Sequence, residues 1–396
     1  MSLDPASIDR IPLWSAVVPA AALALAAVLF AGGAGVGPVL LLPASLLMLG
    51  TVFAAVRHAE VLALRLGEPY GSILLALAIT LIEVTLIVSL MLAGGPGTDT
   101  LARDTVYATV MIVLTGIVGG CLLVGGMHHH EQSFRLDSAT SALSVLGTIA
   151  ALSLILPVVT RTTLGPVFAP TQLLAVGLVS IVLYAVFLYV QTTSHREYFA
   201  EGVVAGGGNA VPGRRTAAFS LLLLLAGLVA VVLHAKLLSP MLKQAVAAME
   251  LPASLVGVVI AAIVLLPEAL SALQAARANR LQAALNLVLG SALATIGLTI
   301  PIVGFLALYL DLPMVVGLSG TEMGLLLLAL YISGISLATG RTTMLQGAVH
   351  LGIFAVFLVL AVFGNATMWM AVFADMGASL LVVLNGLRLL GKAAKT

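Results

Sequence analysis

Stretches of about twenty apolar residues recur along the chain, each closed by a short polar segment. They lie near 13–31, 37–56, 72–93, 105–125, 139–159, 170–190, 216–235, 253–274, 282–304, 323–340, 344–363 and 367–387. A helix needs roughly 20 residues to cross the hydrocarbon core of a bilayer. The pattern predicts an all-α integral membrane protein with about twelve transmembrane helices. The connections are too short to hold a folded soluble domain. The longest, from Gln191 to Arg215, is glycine-rich at its centre and reads as a flexible linker between two halves. The first apolar run is long and soon followed by another, so it reads as a membrane helix rather than a signal peptide.

Basic residues give the spans a direction. With a cytoplasmic N-terminus, 13 of the 17 basic residues fall inside, and Arg103, Arg161, Lys236 and Lys243 fall outside. That bias predicts cytoplasmic N- and C-termini. Composition agrees with the class: 61% of residues are hydrophobic and 8% charged, where soluble domains carry about 25% charged. The net charge of +1 leaves no nucleic-acid footprint, and the one cysteine, Cys121, leaves no disulfide framework. No HExxH, GxSxG or Walker motif is present, which argues against an enzyme. The run His128, His129, His130 and Glu131 falls in a predicted cytoplasmic loop. It reads as a solvated polar turn, although adjacent histidines can also hold a transition metal or sense pH.

Two carboxylates interrupt the apolar runs. Glu83 stands at the centre of the third, in "LAITLIEVTLIVSL". A charge at that depth costs about 2.5–3.5 kcal/mol on insertion scales. Glu268 stands in the eighth, in "VVIAAIVLLPEALSAL", directly after Pro267. The proline frees the carbonyl of Ile263 and is expected to break the helix beside Glu268. Such irregular backbone is tolerated at membrane depth only where it is buried or lines a wet cavity.

The stretches after the two glutamates also match. "RDTVYATVMIVLTGIVGG" from Arg103 aligns with "RLQAALNLVLGSALATIG" from Arg280, so that Thr109 faces Asn286 and Gly120 faces Gly297. The glutamates are five spans apart, and an odd offset reverses direction through the membrane. The chain therefore reads as two inverted five-helix repeats, a plan common in secondary transporters. The expected layout is an extra N-terminal helix in 1–36, a first repeat in 37–200 and a cytoplasmic linker in 201–215. A second repeat in 216–363 and an extra C-terminal helix in 364–396 complete it. Gly290, Gly297 and Gly304, seven apart, read as a packing seam for a neighbouring helix. Asp311 and Glu322 read as solvated or capping residues.

"GEPYGSILLALAITLIEV", "LLPEALSALQAARANRLQAALNLVLGSALATIGLTIP" and "GRTTMLQGAVH" resemble the ChaA-type calcium/proton antiporters of bacteria, within the calcium/cation exchanger superfamily. The resemblance covers roughly residues 10–363. It implies that Glu83 and Glu268 bind the metal cation. Where many members have Gly-Asn before the first glutamate, this chain has Ile79 and Thr80. Beyond about Gly364, "MWMAVFADMGASLLVVLNGLRLL" resembles the last membrane helix of heavy-metal P-type ATPases, with Asp375 in the metal-binding position. The chain has no DKTG motif and no ATPase domain, so ATP-driven pumping is excluded.

Two carboxyls meeting at mid-membrane can be neutralised by protons or by one Ca²⁺. Burial and a like-charged neighbour both favour the protonated form. Calcium takes six to eight oxygens at about 2.3–2.6 Å. Candidate donors besides the glutamates are Thr80, Ser271, Asn286, Ser291 and the carbonyls freed near Pro267. Because the two neutralisers exclude each other, obligatory exchange follows if only loaded states switch. The expected function is Ca²⁺ export against protons across a bacterial inner membrane, with no cofactor besides the transported ions. The expected partners are the bilayer, inorganic cations and protons, with homo-oligomerisation left open. A Na⁺/H⁺ or K⁺/H⁺ antiporter is the alternative within transporters, and a cation channel the alternative outside them.

Overall fold

The computed structural model describes residues 11–31, 38–67, 70–92, 94, 97–199, 212–248 and 254–363. The predicted twelfth span and Asp375 lie outside these residues, as do 201–211 of the linker. Within them the chain forms eleven long helices. These are α1 (Leu13–Ala31), α2 (Pro38–Leu66), α3 (Tyr70–Leu92), α4 (Leu101–His129), α5 (Leu136–Val159) and α6 (Pro170–Ser194). They continue with α7 (Arg214–Ala248), α8 (Ser254–Arg277), α9 (Leu281–Tyr309), α10 (Gly320–Leu337) and α11 (Met344–Phe363). Nine of the described helices are long and apolar enough to cross a bilayer, and α8 makes a tenth when its two bent halves count as one span. The protein is a multi-pass membrane protein with a helical membrane fold.

Each helix overlaps a predicted apolar run, and two run ten or more residues past their predicted ends. α2 runs ten residues past its predicted end at 56, and α7 continues to Ala248, so Lys236 lies within a helix rather than a loop. At about 1.5 Å per residue the 35 residues of α7 span roughly 50 Å, more than the ~30 Å hydrocarbon core. A helix does not stop where the membrane does.

α4 and α9 are the two most buried helices and form the centre. α4 packs on α8 and α11, and α9 packs on α3 and α6. Exchanging α3 with α8, α4 with α9 and α6 with α11 converts one set of neighbours into the other. α2 packs on α7 in the same spirit, and α1 lies against both. α4 and α9 each contain a wider π turn, at Ile112–Ile117 and Thr295–Thr299. Such a turn disturbs the i to i−4 ladder. In α4 the Leu114 carbonyl, within the π turn, accepts a 2.6 Å hydrogen bond from His350 Nδ1 of α11.

Small residues let these helices approach. A Cβ at Gly119 would sit 2.8 Å from the Cβ of His350, and one at Gly347 would clash with the backbone nitrogen of Leu123. The predicted glycine seam on α9 is real at two positions. Gly297 lies under Tyr184 and Gly304 under Leu173, both of α6, whereas Gly290 has nothing within 4 Å.

The two ends of the bundle differ. At one end, two three-residue strands that the apolar pattern did not predict, β1 (Glu131–Ser133) and β2 (Arg341–Thr343), pair antiparallel between the α4–α5 and α10–α11 connections. At the other end, Gly257 of α8 is pressed against Asp104 and Thr105 of α4, and a Cβ there would come within 2.8 Å of the Thr105 nitrogen. There Asp104 is buried, pairs with Arg103 at 2.6 Å and accepts from Thr100 at 2.8 Å. Arg103 also donates to the Gly317 carbonyl at 3.0 Å, which ties this end to the α9–α10 connection. Glu322 caps α10: its carboxylate accepts from the Ser319 nitrogen at 2.8 Å, in a reciprocal capping box. Asp311 is exposed in the turn after α9, at φ 54°.

Candidate cation site

The site forms where α3, α6, α8 and α9 meet. α8 bends by 49° between Leu255–Ala262 and Val264–Arg277. The bend falls four residues before Pro267, where the ring meets the preceding turn. Glu268, directly after that proline, is 6% exposed, and Glu83 in the middle of α3 is 1% exposed. Both carboxyls face one stretch of α9, residues 291–299, which supplies hydroxyls to each.

A cavity of about 200 Å³ reaches Glu268. Thr80 of α3, Tyr184 and Gln191 of α6, and Gly290, Ser291 and Thr295 of α9 are among its walls. It extends from mid-membrane toward the starts of α3 and α9 and the end of α6, which is the end of the bundle that carries the strands. Gly290 therefore opens space rather than closing a helix contact, which corrects the expectation for that glycine. With no Cβ it leaves the wall clear beside Ser291.

Hydroxyl groups serve both carboxyls. Ser291 donates to Glu268 Oε1 at 3.1 Å. Thr295 and Thr299 both donate to Glu83 Oε2, at 2.9 and 3.2 Å. The second oxygen of each carboxyl, Glu83 Oε1 and Glu268 Oε2, is buried without a partner, and so is Thr80 Oγ1. A buried oxygen left unpaired costs about 1–3 kcal/mol, and more when charged. Three oxygens in this condition, two of them from carboxyls, make a donor set suited to a hard cation or to protons.

Four of the predicted site residues, Glu83, Glu268, Thr80 and Ser291, are brought together. Asn286 lines the cavity, but its amide is engaged: Nδ2 donates to the Phe199 carbonyl at 2.7 Å and Oδ1 accepts from Gln282 at 2.9 Å. Ser271 is not at the site. It is exposed, and its hydroxyl donates to the Pro267 carbonyl at 3.0 Å, back along its own helix. It is not among the walls of the cavity. Thr295 and Thr299 were not predicted. Their signal was available, because 291, 295 and 299 recur every four residues along α9.

The histidine run lies at the end of α4, against the connection between α8 and α9. His129 Nε2 donates to the Arg277 carbonyl at 2.9 Å, and His130 takes φ 64° at the end of α4. No cluster of three or more metal-ligating residues occurs among the described residues.

The profile of the sodium/calcium exchanger protein family matches residues 36–193 and 219–363. The chain belongs to that family. It is 50% identical over 359 residues to the Sinorhizobium fredii protein y4hA, covering 89% of this chain and 96% of that one. It is 38% identical over 317 residues to the sodium-potassium/proton antiporter ChaA of Escherichia coli, covering 79% and 86%. The solved H⁺/Ca²⁺ exchanger CAX superposes with a TM-score of 0.67 at 15% identity, covering 97% and 96% of the two chains, and shares the fold. A separate match of 40 residues, 55% identical, is to the cadmium, zinc and cobalt-transporting ATPase of Bacillus subtilis, and covers 10% of this chain and 6% of that one. Membership of an exchanger family makes this chain a transporter of cations and not an enzyme.

Proposed function

We propose that this family member is an antiporter of the bacterial inner membrane that exports Ca²⁺ in exchange for protons, with Glu83 and Glu268 as the shared site. The observation that carries the reading is the trio of buried, unpartnered oxygens, Thr80 Oγ1, Glu83 Oε1 and Glu268 Oε2. A divalent cation or two protons would neutralise two carboxyls at mid-membrane equally well, and the two loads exclude each other. Ser291 steadies Glu268 for either load.

The two repeats, 37–200 and 216–363, set α4 and α9 at matching positions around the site, in keeping with their matched packing. With the N-terminus inside, as the basic residues favour, the cavity faces the cytoplasm and the end sealed at Gly257 faces outward. The C-terminus is then cytoplasmic too. An impermeant thiol reagent should label Ser133→Cys from the cytoplasmic side alone. Labelling from the periplasm would reverse the orientation.

One observation favours a monovalent substrate instead: the relative at 38% identity is a sodium-potassium/proton antiporter. Dequenching of a pH-sensitive dye in everted vesicles separates the two. Ca²⁺ addition should collapse the pH gradient at lower concentration than Na⁺ or K⁺. A response to Na⁺ or K⁺ alone would replace the calcium reading with the monovalent one.

A further inference from the structure

Glu83 and Glu268 occupy matching positions in the two repeats but unlike surroundings. Glu268 lines the cavity and receives one hydroxyl, from Ser291. Glu83 is not among the cavity walls, and two hydroxyls converge on its Oε2. One of them belongs to Thr295, which is itself a wall of the cavity. Its hydroxyl thus reaches from the cavity lining to the Glu83 carboxyl. Thr295 and Thr299 bracket the π turn of α9, which brings both over the same oxygen.

The other repeat has no such arrangement. Aligned on Arg103 and Arg280, the counterparts of Thr295 and Thr299 are Val118 and Leu122. Neither has a hydroxyl, and Thr115, within the π turn of α4, donates to the Met111 carbonyl of its own helix. The pair of hydroxyls is therefore not a requirement of the repeated fold, and it distinguishes one glutamate from the other.

We propose that Thr295 and Thr299 form a latch that holds Glu83 away from the cavity. A cation entering the cavity meets Glu268, Ser291 and Thr80 first, and Glu83 joins when the two hydroxyls release it. The inference rests on the two-carboxylate reading given above. The latch stabilises the empty protein relative to the loaded one. It raises the cation concentration needed for loading and leaves the turnover of the loaded protein unchanged.

Thr295→Val and Thr299→Val each remove a hydroxyl and keep the shape, and Thr295→Ser keeps the hydroxyl. Exchange is measured in everted vesicles with Ca²⁺ and again with Na⁺, after insertion levels are matched. Each valine variant should lower KM for the transported cation by about two- to tenfold, the population shift of one net hydrogen bond. The maximum rate should stay within about twofold, and Thr295→Ser should keep the wild-type KM. A raised KM in the valine variants would make the hydroxyls cation ligands and overturn the latch. An unchanged KM in both would reduce them to packing and overturn it too. If a valine variant fails to insert, Thr295→Ala and Thr299→Ala remove the hydroxyls instead, with Thr295→Ser and Thr299→Ser keeping them. The underlying reading fails separately, if Glu83→Gln and Glu268→Gln both exchange normally. If those two are inactive while the threonine variants keep the wild-type KM, the latch alone is wrong.

Discussion

Glu268→Gln removes one charge with little change of shape. The glutamine oxygen can still accept from Ser291, and its amide nitrogen takes the position of the unpartnered Oε2. Insertion and folding should survive. Transport of a divalent cation should not. With Glu83 as the one remaining carboxylate, bound Ca²⁺ leaves a net +1 in the middle of the membrane. Moving a single charge through that depth costs about 2.5–3.5 kcal/mol, a slowing of about 70- to 400-fold. The assay is dye dequenching in everted vesicles, with the amount of inserted protein checked by blot. A monovalent cation is still balanced by one carboxylate, so any Na⁺ exchange of the wild type should fall much less than Ca²⁺ exchange. Ca²⁺ exchange within about threefold of wild type, far short of the slowing expected from an unbalanced charge, would refute the neutralisation argument for this chain.

Arg103→Gln leaves Asp104 buried without its cation, and should cost about 3–5 kcal/mol. Its melting temperature in detergent should drop by more than that of Arg103→Gln combined with Asp104→Asn. Gly297→Ala drives a Cβ to 3.0 Å from that of Tyr184 and should lower the melting temperature, while Gly290→Ala, with open space beside it, should not. His350→Ala removes the hydrogen bond to the Leu114 carbonyl and should destabilise by about 0.5–1.5 kcal/mol in the same measurement. His350→Asn, whose amide can reach the same carbonyl, should recover part of the loss.

The helices were legible because a bilayer forces about twenty apolar residues into each crossing. The same reasoning went blind where the chain leaves the lipid. The ends of α2 and α7 carry charged residues yet stay helical, because hydropathy marks the edge of the lipid and not the end of a helix. The two glutamates were legible as charges with no solvent, and Pro267 as the cause of a bend. Ser271 was misread because nearness in sequence does not fix a direction, and its hydroxyl found a carbonyl on its own helix. Thr295 and Thr299 went unread because a threonine in an apolar run carries no charge to announce it. The π turn between them also alters which residues share a face. The strands β1 and β2 were invisible because three residues are too few for an alternating pattern.

Those two strands have a mechanical meaning. Residues 131–133 belong to one half of the chain and 341–343 to the other, and the ladder between them is extended by the Phe134 nitrogen bonding to the Gly340 carbonyl at 2.9 Å. They act as a rivet between the hairpin of α4 and α5 and the hairpin of α10 and α11. A force that pulls one hairpin is carried to the other through the backbone. These four helices are thereby fastened into a stiff frame, and the sliding seam of any rocking motion must run elsewhere, along the helices that carry no such fastening.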